Sequence, residues 1–257
     1  MPMFEHDGLS LHYLDEGKPT GPVALLVHGF ASNVRMNWVG PGWVTALGEA
    51  GFRVLAIDNR GHGRSDKPHD PEAYRPQRMA ADALALLDHI AIERAHWIGY
   101  SMGGRIAAFA ALASPERFAS LVLGGIGEGL LTGLEDAGPI ANALLASSLA
   151  DVEGERPRMF RAFADKTGSD RLALAACIAT SRDVLSEAEV AGIGVPTLVA
   201  VGTRDDIAGS PEALAWRMPN ARALAIPDRD HMLSVGDRRF IETAIAFIGE
   251  ADARAGT

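Results

Sequence analysis

Gly99-Tyr100-Ser101-Met102-Gly103 follows the pattern G-x-S-x-G, between a β-rich run (HWIGYS) and an alanine-rich helical one (GRIAAFAAL). In a strand–turn–helix setting, that pattern holds a serine on a sharp, strained turn with its hydroxyl exposed. Glycines two residues to either side carry no Cβ, so strand and helix can crowd together. The helix N-terminus adds free N–H groups and a partial positive charge beside the reacting centre. The plain alternative is a glycine-rich connection whose serine merely caps the helix. Downstream residues set that alternative aside, because they provide what a serine nucleophile needs: a base to take its proton and a group to orient the base.

His231, in Asp228-Arg229-Asp230-His231, is the only histidine C-terminal to Ser101. It follows the last strand candidate, and reacting groups gather at the carboxyl ends of parallel strands. For the orienting carboxylate, Asp205 and Asp206 follow another strand candidate, and Glu128 is a third possibility. The chain order Ser…acid…His fits all three, and the two aspartates are preferred to Glu128. A developing oxyanion needs backbone N–H donors: that of Met102, directly after the serine, and that of Phe30 in His28-Gly29-Phe30.

These groups need a sheet to position them. Val23–Gly29, Arg53–Asn59, Ala95–Ser101, Ser120–Gly125, Thr197–Thr203 and Ala221–Pro227 read as strands. Most are near-continuous apolar runs, the signature of a parallel sheet covered on both faces. Helical patterns fall at Trp38–Ala50, Pro76–Ile92, Gly104–Ala113, Pro211–Met218 and Arg238–Ala251. In the second of these, Met79, Ala83, Leu86, Leu87 and Ile90 make one apolar face. Asp7-Gly8 sits between two short runs within Phe4–Glu16, a hairpin signal. The expected fold is α/β, a doubly wound, mostly parallel sheet with a leading antiparallel hairpin.

Residues 126–195 break the rhythm, with no convincing strand and with helical pieces such as Ile140–Leu149 and Arg171–Thr180. Ordinary connections run to a handful of residues, so the expected organisation is a core of 1–125 and 196–257 with a helical cap inserted at 126–195. Within it, Cys177 in LALAACIAT reads as a small buried apolar residue.

The remaining 257-residue composition mainly excludes. Charged residues at 22% and hydrophobic ones at 47% describe a globular protein, not a disordered one. A formal charge of −9 without a basic block argues against nucleic acid and against anionic membranes as partners. Met1–Asp7 has no basic residue leading into an apolar stretch, and no apolar run reaches membrane-spanning length, so the cytoplasm is the expected compartment. One cysteine forms no internal disulfide, the histidines lack metal-ligand spacing, and Gly124–Leu130 misses the G-x-G-x-x-G pattern; neither metal nor nucleotide is expected.

Taken together, the sequence resembles the α/β-hydrolase superfamily. Leu26-Val27-His28-Gly29-Phe30 resembles its oxyanion strand and loop. Asp58-Asn59-Arg60-Gly61-His62-Gly63-Arg64-Ser65-Asp66 resembles its D-x-R-G-x-G-x-S turn, and Gly99–Gly104 its nucleophile elbow. Gly202-Thr203-Arg204-Asp205 resembles its acid loop, where the carboxylate comes three residues after the glycine; this selects Asp205 over Asp206. In that family His28 and His62 belong to structural turns. The resemblance implies catalytic Ser101, Asp205 and His231, an oxyanion hole from Phe30 and Met102, substrate contact at Phe30, and no cofactor. Serine at 101 separates the chain from the branches with an aspartate nucleophile, the haloalkane dehalogenases and epoxide hydrolases. It implies hydrolysis of a small to medium carboxylic ester through an acyl-serine.

Gly99–Arg105 is also similar to a menaquinone-pathway synthase of the same superfamily, a carbon–oxygen lyase. There, arginines hold substrate carboxylates, a part open here to Arg105 with Arg158, Arg161 or Arg171. The plainer expectation for Arg105 is an exposed residue in the first turn of a helix. Carbon–carbon hydrolases, perhydrolases and non-turnover ligand receptors share the scaffold.

Overall fold

The structure is a computed structural model that describes residues 2–133 and 137–255. Its strands are β1 (Met3–His6), β2 (Leu9–Gly17), β3 (Val23–Val27), β4 (Arg53–Ile57), β5 (Ala95–Tyr100), β6 (Phe118–Gly124), β7 (Thr197–Gly202) and β8 (Ala221–Ile226). The α-helices are α1 (Trp43–Glu49), α2 (Pro76–His89), α3 (Met102–Ala113), α4 (Gly129–Thr132), α5 (Gly138–Leu145), α6 (Glu155–Thr167), α7 (Arg171–Thr180), α8 (Glu187–Gly192), α9 (Pro211–Trp216) and α10 (Arg238–Ala255).

All eight strands form one sheet in the order β1-β2-β4-β3-β5-β6-β7-β8. Its first two strands run antiparallel, joined through Asp7 and Gly8 at φ 51° and 73°. Two positive φ values give the turn the twist that a tight hairpin requires. From β4 onward every pairing is parallel. β3, β5 and β7 are buried along their whole length, and β6 everywhere but at Ala119, as mostly apolar runs, because helices cover both faces. On one face Met79, Leu86 and Leu87 of α2 pack with Ile106 of α3 and Leu214 of α9. The other face carries Trp43 and Leu47 of α1 with Phe240 and Phe247 of α10.

The predicted helix Trp38–Ala50 is shorter: a wide helical turn at Arg35–Val39 precedes Gly40-Pro41-Gly42, and α1 begins only at Trp43. Proline and glycine interrupt the hydrogen-bond ladder that hydrophobic spacing alone suggested. Likewise, Ile140–Leu149 ends at Leu145, where Ala146 turns extended. Residues 126–195 hold α4–α8 and no strand among those described. Ile140, Leu144, Phe160, Leu174 and Ile178 from α5, α6 and α7 share an apolar cluster with Ala31, beside the β3 loop. Cys177 is fully buried, as its helical context suggested.

The turn after β4 anchors that loop from below. His28 Nε2 accepts from the Asn59 N–H at 3.0 Å, and Asn59 Nδ2 donates to the His28 carbonyl at 3.1 Å. Buried Asp58 accepts from the N–H groups of Val34 (2.7 Å) and Arg64 (3.0 Å) and from His12 (2.8 Å). Burial pushes its carboxyl up, but the His12 bond, nearby His28 and the two N–H groups outweigh this and hold it down at about 2. The unfolded chain returns it to about 4. Its contribution is therefore complete above that value and is lost as pH falls toward 2. About 2 kcal/mol of unfolding free energy is expected to disappear over this window. Urea titrations should show the decline, with a shallower acid limb for Asp58→Asn; equal slopes would contradict the assignment.

Candidate active site

Ser101, between β5 and α3, has φ 53° and ψ −114°, a conformation that L-residues rarely adopt. The neighbouring backbone enforces it. A Cβ on Gly103 would lie 1.9 Å from the Val27 carbonyl oxygen, so only glycine lets α3 start this close to β3. The Ser101 N–H is tied to the Gly124 carbonyl of β6 at 2.7 Å.

His231 comes from the loop after β8 and is 7% exposed, and Asp205 from the loop after β7. His231 Nε2 lies 3.0 Å from Ser101 Oγ, and Nδ1 lies 2.8 Å from Asp205 Oδ2. An ionised carboxylate can only accept, so the imidazole proton sits on Nδ1 and Nε2 is left to accept from the serine hydroxyl. Asp205 Oδ1 accepts from the N–H groups of Ile207 (2.9 Å) and Ala208 (3.0 Å). Burial pushes this carboxyl up, but the His231 bond and charge with the two N–H groups hold it below the usual carboxylate value. Tyr100 adds a hydrogen bond from its hydroxyl to the His231 carbonyl, fixing the loop that carries the imidazole.

The other carboxylates lie apart from this line. Asp206 is 77% exposed and pairs with Arg156 at 2.8 Å, and Glu128 faces Arg217 at 3.4 Å. Phe30 and Met102 both line the cavity beside Ser101. Met102 opens α3, where first-turn N–H groups have no acceptor within the helix. Next to Phe30, the Gly29 N–H donates to Asn37 Oδ1 at 3.0 Å. Buried Asn37 thus holds the loop over the serine, and no spacing in the sequence marked it.

Arg105 differs from the plainer expectation. It is 2% exposed, and its guanidinium donates to the carbonyls of Asp183 (2.6 Å) and Gly129 (3.0 Å). Its position one turn into α3 points inward because residues 129 and 183, distant in sequence, close over it. Arg158, Arg161 and Arg171 instead bond carbonyls of Val152, Ala143, Leu144 and Ala146. Among the described residues, none of the three lines the cavity.

That cavity, about 1270 Å³, opens over Ser101 and His231. Ile126, Ile140, Phe160, Ile178 and Ile207 make much of its apolar wall. Phe30 packs edge-to-face on Phe160 at 5.8 Å, joining α6 to the β3 loop. His28 and His62 meet at 5.2 Å beneath that loop. Burial drives both imidazoles toward the neutral form, and with His28 beside it His62 falls to about 3.

The alternating parallel sheet, its antiparallel leading strands and the serine elbow after β5 define an α/β-hydrolase fold. A family model described as alpha/beta hydrolase fold matches residues 22–138. The chain belongs to the α/β-hydrolase superfamily. Epoxide hydrolase A of Mycobacterium tuberculosis H37Rv is 36% identical over 119 residues, which cover 46% of this chain. The chain thereby matches 36% of the length of that curated relative. A hydrolase from Pseudomonas aeruginosa PA01 superposes with a TM-score of 0.81 at 29% identity, over 96% of this chain and 98% of the other. The enol-lactonase from Burkholderia xenovorans LB400 gives 0.78 at 26% identity, over 96% and 100%.

Proposed function

We propose that this protein is a serine hydrolase that cleaves carboxylic esters, lactones included, through an acyl-serine intermediate. The observation carrying the reading is the unbroken line from Ser101 Oγ through His231 to Asp205, at 3.0 and 2.8 Å. Ser101 Oγ attacks the carbonyl carbon while His231 Nε2 takes the hydroxyl proton, and Asp205 stabilises the imidazolium. The carbonyl oxygen becomes an oxyanion held by the N–H groups of Phe30 and Met102. Collapse expels the alkoxide, which takes the proton from His231 and leaves as the alcohol. Water then attacks the acyl-serine with His231 as base, and the acid departs as Ser101 recovers its proton. With a lactone, acid and alcohol leave as one molecule.

The same geometry disfavours epoxide opening. A serine alkoxide adding to an epoxide carbon would leave an ether, with no carbonyl at which water could release it. The apolar wall and cavity size suit acyl groups of small to medium length, and helices α4–α8 would act as a cap that sets the choice among them.

A shared acyl-serine makes a specific demand on products. In methanol–water mixtures, p-nitrophenyl, phenyl and ethyl butyrate should give one common ratio of methyl butyrate to butyric acid, since each passes through the same intermediate. Ratios that follow the leaving group, or no hydrolysis of any of the three, would contradict the mechanism.

A further inference from the structure

Of the nine large hydrophobic side chains exposed among the described residues, three, Met36, Met232 and Leu233, line the cavity over Ser101 and His231. Scattered apolar side chains on a surface need no explanation, but these three are gathered and braced. Asp230 Oδ1 accepts from the N–H groups of Met232 (3.0 Å) and Leu233 (2.8 Å), and the Ser234 hydroxyl donates to the Asp230 carbonyl at 2.7 Å. This bonded turn carries on directly from His231 and leaves Leu233 58% exposed. On the opposite arm, the wide turn Arg35–Val39, the Met36 N–H donates to Asn33 Oδ1 at 2.9 Å. The two arms are joined where Trp43 Nε1 donates to the Val235 carbonyl at 2.7 Å. Close by, a Cβ on Gly236 would touch Pro41 at 3.5 Å. Hydrogen bonds on both arms thus hold open a short cleft whose uncovered side chains are apolar.

We propose that this cleft, between Met36 on one arm and Met232 and Leu233 on the other, takes the alcohol half of the substrate and selects longer apolar alcohols. The inference rests on the ester and lactone reading above and adds to it the nature of the leaving group. In that mechanism the alcohol oxygen departs with the proton carried by His231 Nε2. The alcohol half therefore lies on the His231 side of the scissile bond, where the chain continues into Met232 and Leu233. The acyl half is left the buried wall of Ile126, Ile140 and Ile178. Unbranched methionine side chains adapt to alkyl groups of different outline, so the cleft selects for apolar length rather than for one shape. With a lactone, the same surface takes an alkyl branch on the carbon that bears the ring oxygen.

Hexyl and ethyl butyrate share an acyl group and have alkoxides of nearly equal leaving ability, so they differ in what the cleft can hold. A fully buried methylene is worth about fourfold in binding, and one laid against an open cleft about twofold. Wild type should therefore prefer the hexyl ester in kcat/KM by about tenfold or more, measured below its solubility limit. Leu233→Ser and Met36→Ser should each lower that ratio by about threefold, and together bring it near unity; Leu233→Met should keep most of it. The ratio of ethyl hexanoate to ethyl butyrate, which reads the acyl side, should stay as in wild type. Both ratios are independent of how much enzyme is folded, because active concentration cancels. A wild-type ratio near unity, a ratio that the substitutions leave unchanged, or equal loss on the acyl side would overturn the proposal while leaving ester hydrolysis intact. If neither butyrate turns over, the ester reading fails, and calorimetric titration with hexan-1-ol decides the cleft. Binding weakened in the double variant supports it; no binding, or binding unaffected by the substitutions, overturns it.

Discussion

Ser101→Ala is expected to lower kcat on p-nitrophenyl butyrate by about 10⁶-fold, the scale on which serine–histidine machinery acts as a unit. The substitution removes one hydroxyl oxygen from a residue whose backbone sits at φ 53°. Alanine meets much the same backbone constraint as serine there, so melting temperature and circular dichroism should stay close to wild type. The elbow is shaped by Gly103 against Val27 and by the Ser101–Gly124 bond, neither of which uses the hydroxyl. A folded variant retaining more than about a hundredth of wild-type activity, far above the residual rate left by oxyanion stabilisation alone, would remove Ser101 from the mechanism.

The second large effect separates two adjacent carboxylates. Asp205→Asn should cost about 10⁴-fold in kcat, because an amide can present an N–H to His231 and favour the wrong tautomer. Asp205 is bonded to His231 at 2.8 Å and buried, with two backbone N–H groups on its other oxygen. Its neighbour Asp206 lies in solvent against Arg156. Exposed pairs of that kind contribute little, so Asp206→Asn should change kcat by less than about threefold. The opposite ranking, measured on one ester at fixed pH, would overturn the choice of acid.

Much of this site was legible before any coordinates. β3, β5, β6 and β7 announce themselves because both faces are buried, which requires near-continuous apolar residues. Ser101, Asp205 and His231 each follow a strand, so topology alone brings them to one edge of the sheet. The part that escaped depends on partners distant in sequence. Arg105 looks like a surface residue until Gly129 and Asp183 are seen accepting its hydrogen bonds. Asn37 carries no motif, yet it holds the Gly29 N–H. Helix α6, Glu155–Thr167, was hidden by its charges and by Pro157, which is tolerated in a helix's first turn.

In the proposed mechanism one hydroxyl, that of Ser101, is made nucleophilic by His231 and Asp205. A fluorophosphonate reagent reports this without requiring the natural substrate, since it phosphonylates an activated serine and spares ordinary ones. Digestion with trypsin should place a single adduct on the peptide 95–105, at Ser101, and labelling should be lost in His231→Ala. An adduct on any other residue, or no adduct on the folded protein, would contradict the serine mechanism.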